Sequence, residues 1–162
     1  MLKALAAVAM FGGLCACGFT PLYATPGVSS GLQTITISAP KGRVPYLLRE
    51  QLDDLLAHDK SAPPAWRLDL TVVQTRDPRG LSLDNVAERY DLGLTVKYQL
   101  TSLATGKVAH SGQVTTDVSY DAADAPYAGI AARQDSQQRA AADAARRIQI
   151  QLAAWMARHA SE

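Results

Sequence analysis

Two cysteines two positions apart, Cys15 and Cys17, close an apolar amino-terminal run and are the only thiols in the chain. A cysteine behind slim residues, as in Leu14-Cys15-Ala16-Cys17, suits attachment of a thioether-linked diacylglycerol, because a membrane-embedded peptidase must hold the preceding segment extended. The other groups able to do chemistry are scattered. His58, His110 and His159 fall at a predicted helix end, in a strand and near the carboxyl terminus, without metal-ligand spacing, and each reads as a surface residue. Gly80-Leu81-Ser82-Leu83-Asp84 lacks the second glycine of a nucleophile elbow, and no Gly-rich phosphate loop occurs. The acidic residues lie mostly on polar faces, away from the apolar neighbours that raise a carboxyl pKa. The expectation is therefore a non-enzyme with no catalytic residues, no metal and no cofactor.

Met1-Leu2-Lys3 places a positive charge before the apolar stretch Ala4 to Gly13, the pattern of an export signal. A spanning helix needs roughly 20 apolar residues, and this run is shorter. Leu14-Cys15-Ala16-Cys17 resembles the lipobox of bacterial lipoproteins. The resemblance implies that residues 1–16 are removed and that Cys17 is acylated, which makes it the lipidation site and the membrane attachment. Each buried methylene adds about 0.8 kcal/mol, so several chains on one residue hold firmly. Gly18, where an Asp would favour retention at the inner membrane, points to the periplasmic side of the outer membrane.

Loss of residues 1–16 removes Lys3 and leaves 15 basic residues against 15 acidic ones, so no global basic field argues for nucleic acid. Cys15 leaves with the signal and Cys17 carries lipid, which leaves no thiol for disulfides. About 146 residues remain, enough for one two-layer core. Residues 17–31, rich in Gly, Pro, Ser and Thr, read as a tether, although Phe19, Leu22 and Tyr23 suit contact with a membrane surface or a partner. Residues 32–158 form the expected domain.

Gln33 to Ser38 alternates as a half-buried strand. A helix from about Pro45 to His58 carries the stripe Leu48, Leu52, Leu55 and Leu56, and Pro63-Pro64 follows it. Trp66 to Val72 reads as a second strand. Asp77-Pro78-Arg79-Gly80 reads as a turn cluster within Gln74 to Asn85. Tyr90 to Leu100 alternates without a slip, Ala104-Thr105-Gly106 makes a tight connection, and Lys107 to Tyr120 completes a hairpin. A last helix runs from Pro126 to about Ala157 with Ala141, Ala145, Ile148, Leu152, Trp155 and Met156 on one stripe. The fold class is thus α+β, a two-layer sandwich of a four-stranded, mostly antiparallel sheet with two helices on one face, in the order β-α-β-β-β-α. The sheet's other face is polar, with Arg67, Asp69, Thr71, Arg89, Asp91, Thr95, Lys97 and Gln99. It is either a solvated face or a docking surface for a polar or phosphate-bearing partner.

Cys17-Gly18-Phe19-Thr20-Pro21-Leu22-Tyr23 resembles the start of the LptE family of lipopolysaccharide-assembly lipoproteins, as found in alphaproteobacteria. Glu88-Arg89-Tyr90-Asp91-Leu92 with the Thr105-Gly106 turn resembles that family's central hairpin, and Ser119-Tyr120, Pro126-Tyr127-Ala128 and the Ala- and Arg-rich helix resemble its carboxyl half. The resemblance implies a plug in the lumen of the outer-membrane β-barrel LptD, assisting its assembly and the insertion of lipopolysaccharide. Arg76, Arg79 and Arg89, with Arg67 and Lys97 on the polar face, are the candidate contacts to the partner or to lipopolysaccharide, because guanidinium groups match phosphates bidentately. The competing readings are an auxiliary lipoprotein of an envelope ABC-type transporter and a periplasmic lipid- or glycan-binding lipoprotein.

Overall fold

Period-two alternation builds three long strands, and the residues on one side of them recruit the helices. The computed structural model describes residues 27–59, 61–81, 87–122 and 125–159. The signal segment, Cys17 and the tether residues Phe19, Leu22 and Tyr23 lie outside the described residues. In chain order the elements are α1 (Val28–Gln33), β1 (Ile35–Ser38), α2 (Arg43–Leu55), β2 (Trp66–Leu81), β3 (Ala87–Ser102), β4 (Val108–Asp121) and α3 (Pro126–His159). The sheet order is β1-β2-β3-β4, with β1 parallel to β2 and the other pairs antiparallel. The expected α+β architecture is present, with a third helix added at the amino-terminal side.

Leu92, Leu94, Val96, Tyr98 and Leu100 of β3 are buried, as are Leu68 and Leu70 of β2 and Val114 and Tyr120 of β4. Against them lie Leu48, Leu52 and Leu56 of the α2 stripe and Ile148, Leu152, Trp155 and Met156 of α3. Ala140, Ala141, Ala144, Ala145 and Ala153 are also fully buried, so α3 approaches the sheet with almost no side-chain bulk between them. The Gln149 amide donates to the Leu55 carbonyl at 2.7 Å, and the Gln137 amide donates to Gln74 at 3.3 Å. These bonds fix α3 to α2 and to β2 without leaving the polar groups orphaned. No helix among the described residues is long and apolar enough to cross a membrane.

Two sequence expectations fail locally. Asp77-Pro78-Arg79-Gly80 is not a turn: β2 runs through it, with Pro78 opposite Tyr90 and Arg79 opposite Arg89. The reason lies in the sheet edge. β1 pairs only with Trp66 to Asp69, so beyond that β2 has an edge without a described strand partner, and an edge is where a strand tolerates a residue lacking an N–H. The first strand also opens later than its alternation suggests, because Gln33 closes α1, whose Val28 and Leu32 are buried against the core, and β1 begins at Ile35. Six residues give no helical period to read.

Candidate functional site

The helix-free face of the sheet presents the odd-numbered residues of β2 and β3 and their partners on β4. Arg67, Asp69 and Thr71 of β2 lie beside Thr101, Gln99 and Lys97 of β3, and Gln99, Lys97 and Thr95 lie beside Ser111, Gln113 and Thr115 of β4. Apart from Val73 and Val108, which are 55 % and 54 % exposed, the side chains of this face from Arg67 to Arg79, from Arg89 to Thr101 and on their β4 partners are polar or charged, with Gly93 among them. Regular alternation over three strands is what keeps every one of these side chains on the same side.

At the end of the sheet farthest from Trp66 the charges are organised. The Arg79 Nε donates to Asp91 Oδ2 at 2.7 Å, the Ser119 hydroxyl donates to the other Asp91 oxygen at 2.7 Å, and the Arg89 Nε donates to Asp121 Oδ1 at 3.0 Å. The hydroxyl of Ser119 and the Arg79 guanidinium hold the Asp91 carboxyl below its usual value. Arg79, Gly80, Arg89 and Asp121 line a shallow cleft of about 380 Å³. Both guanidiniums are more than half exposed. The Nε edge of each is already engaged, so an incoming phosphate would meet the remaining N–H groups or displace a carboxylate.

The structure therefore brings Arg79 and Arg89 together and separates them from the other three candidates. Arg67 pairs with Asp69 at 2.9 Å near the opposite end, and Lys97 sits mid-sheet between Thr71 and Gln113. Arg76 does not share their face. Its parity is that of Trp66 and Leu68, and its guanidinium carbon lies 3.6 Å from the centre of the Tyr90 ring, which stacks on Tyr120 at 5.6 Å. The grouping of Arg76 with Arg79 and Arg89 fails because strand geometry puts positions 76 and 79 on opposite faces, whereas a turn would have let them converge.

A second cluster escaped the sequence reading. The Tyr98 hydroxyl donates to Gln151 at 2.6 Å and lies 3.3 Å from His110 Nε2. His110 stacks with Trp155 at 5.6 Å, Trp155 stacks with His159 at 4.6 Å, and Trp66 meets Trp155 edge-on at 5.5 Å. Burial pushes the Tyr98 phenol up to about 12 and, with the charges of Arg158 and His159, pushes His110 down. His110 and His159 are thus parts of an aromatic stack and not isolated surface groups. Only tertiary packing joins four separate elements, so no local signal announced it. Among the described residues no group of three His, Cys, Asp or Glu side chains is placed to hold a metal.

The family described as LptE: Lipopolysaccharide-assembly matches residues 32–152, a span that takes in all four strands and most of α3. The crystal structure of a Caulobacter crescentus CB15 protein designated a lipoprotein is 52 % identical, with a TM-score of 0.71 over 81 % of this chain and 96 % of its own. Rare lipoprotein B from Shewanella oneidensis shares the fold at 19 % identity and a TM-score of 0.57, over 74 % of this chain and 93 % of its own. A lipoprotein B from Nitrosomonas europaea does so at 17 % identity and a TM-score of 0.57, over 75 % and 83 %. No curated protein matches the chain.

Proposed function

Because the chain belongs to the LptE lipopolysaccharide-assembly family, we propose that it is a non-catalytic envelope lipoprotein, acylated at Cys17 on the periplasmic side of the outer membrane, that plugs the lumen of the β-barrel LptD. In that position it assists assembly of the barrel and passage of lipopolysaccharide to the outer leaflet. The observation that carries the reading is the family match across residues 32–152.

The physics of the fold suits the role. A porin-like lumen is polar, and a plug for it needs a hydrophilic surface over its own apolar core. Most apolar residues of β2 to β4 are buried with α2 and α3, so the broad surface on offer is the largely polar open face with its Arg79–Asp91 and Arg89–Asp121 pairs. Arg79 and Arg89 are the preferred contacts for lipid-borne phosphate, and Arg67 and Lys97 extend the same face toward the other end. Arg76, exposed on the helix-bearing side of the sheet, packs on Tyr90.

The test is a detergent-extract pull-down with tagged full-length protein, followed by mass spectrometry of its envelope partners. A stoichiometric large outer-membrane barrel is the expected result. Recovery of inner-membrane transporter subunits without a barrel would replace this reading with that of an auxiliary transporter lipoprotein.

A further inference from the structure

The end of the sheet opposite the Arg79–Asp91 pair is built from different chemistry. The described chain opens there at Gly27, which with Gly31, Trp66, Trp155, Met156 and His159 lines a shallow cleft of about 160 Å³. The β3–β4 hairpin finishes at the same end: Trp66 lies opposite Ser102, and the Leu103 N–H donates to the Ala65 carbonyl at 3.0 Å. Its loop exposes Leu103 by 43 % and Lys107, and the first residue of β4, Val108, is 54 % exposed. α3 ends beside the cleft in exposed Arg158 and His159. Asp59 is hydrogen-bonded to Ser61 and donates its N–H to the Gln33 carbonyl.

We propose that this rim, formed by Leu103, Lys107, Val108 and Arg158 in front of Trp66 and Trp155, rests on the phospholipid headgroup layer of the membrane that anchors the chain. The proposal rests on the lipid-anchor reading of Cys17. Two features choose a bilayer surface as the occupant. Nine residues lie between Cys17 and Gly27, so even at full extension the ten steps reach no more than about 35 Å, and this end is the one nearest the anchor along the chain. Exposed aliphatic groups and cations gathered on one rim, with the half-buried Trp66 ring beside them, are also a composition that partitions to a membrane interface, where the apolar parts enter the acyl boundary and the cations meet lipid phosphate. The consequence is an orientation. Arg89 lies 13 positions before Ser102 in β3, so the Arg89 end stands up to about 45 Å from the headgroups while the Ser102 end touches them.

Trp66 and Trp155 are the chain's two tryptophans and both lie behind this rim, so intrinsic fluorescence reads it directly. Acylated full-length protein is reconstituted into phosphatidylethanolamine and phosphatidylglycerol vesicles whose acyl chains are brominated close to the headgroup. The expected result is tryptophan quenching that falls about two-fold or more in the Leu103→Asp, Val108→Asp double variant, with circular dichroism unchanged because both side chains are exposed. Quenching that is absent in the wild type, or equal in the double variant, overturns the rim while leaving the anchor intact. The mass of the Cys17 peptide separates the two readings: an unacylated Cys17 removes the anchor and the rim together.

Discussion

The two faces of β3 carry opposite chemistry on alternate residues of one strand. Leu92, Leu94, Val96, Tyr98 and Leu100 are at most 1 % exposed, while Asp91, Thr95, Lys97 and Gln99 between them remain open to solvent or half so. A register slip of one residue would exchange the two sets, so the covered face fixes where every open-face side chain stands. On the proposed function, stability and recognition are thereby divided between neighbouring positions. The sharpest way to break that division is Leu94→Ala. It leaves a cavity beneath α3 and is expected to cost about 2–5 kcal/mol in urea unfolding, whereas Thr95→Ala, one residue along, stays within about 0.5 kcal/mol. Comparable losses at the two positions would mean that the open face is covered in solution.

Next in size is an effect that crosses strands. Tyr98 lies over Gly112, its partner on β4, and a Cβ at position 112 would sit 2.6 Å from Cζ and 2.8 Å from Cε1 of the ring. Gly112→Ala therefore pushes a buried aromatic against packed neighbours and is expected to cost about 1–3 kcal/mol. In a Tyr98→Ala background most of that penalty disappears, so the double-mutant cycle shows strong coupling. Additive losses would place the strain elsewhere.

How far the sequence revealed this arrangement depends on whether a signal was local. The unbroken alternation of Tyr90 to Leu100 specified both the strand and the facing of each residue, and the Leu48, Leu52, Leu56 and Ile148, Leu152, Trp155 stripes identified the helix faces that meet it. Position 76 held the same parity information. Pro78 and Gly80 mask it by reading as punctuation, and only the shortness of β1 explains why a proline is tolerated there. The stack of Tyr98, His110, Trp155 and His159 joins residues up to 61 positions apart, and the Arg79–Asp91 pair depends on a register that a turn reading forbids.

The open face is the place where binding and stability should separate. Arg79→Ala with Arg89→Ala removes two exposed ion pairs, each contributing no more than about 1 kcal/mol, so thermal unfolding should move little. Titration of the purified protein with lipopolysaccharide should nevertheless show affinity reduced about ten-fold or more, because two bidentate donors are lost. Arg76→Ala sharpens the contrast from the other side: it removes the stack on Tyr90, about 0.5–1 kcal/mol, and leaves the titration unchanged. Binding that responds to Arg76 and ignores Arg79 and Arg89 would transfer the contact to the covered side.

The smallest expected effect concerns Asp91, whose carboxyl is held below its usual value of 3.8 by the Ser119 hydroxyl first and the Arg79 guanidinium second. A depressed folded-state pKa means that the native chain favours the charged form more than the unfolded chain does. The stabilisation is therefore complete above the unfolded value and is lost as pH falls through the folded one. Asp91→Asn lacks this titration, so its melting temperature should lie slightly below that of the wild type at neutral pH, and the two curves should converge as the solution is acidified below about pH 4. A gap that persists into strong acid would show that the Asp91 side chain acts by position, as the acceptor for Ser119, and not by charge. The open face would then be ordered by its hydrogen bonds, and its ion pairs would be free to reopen toward a partner.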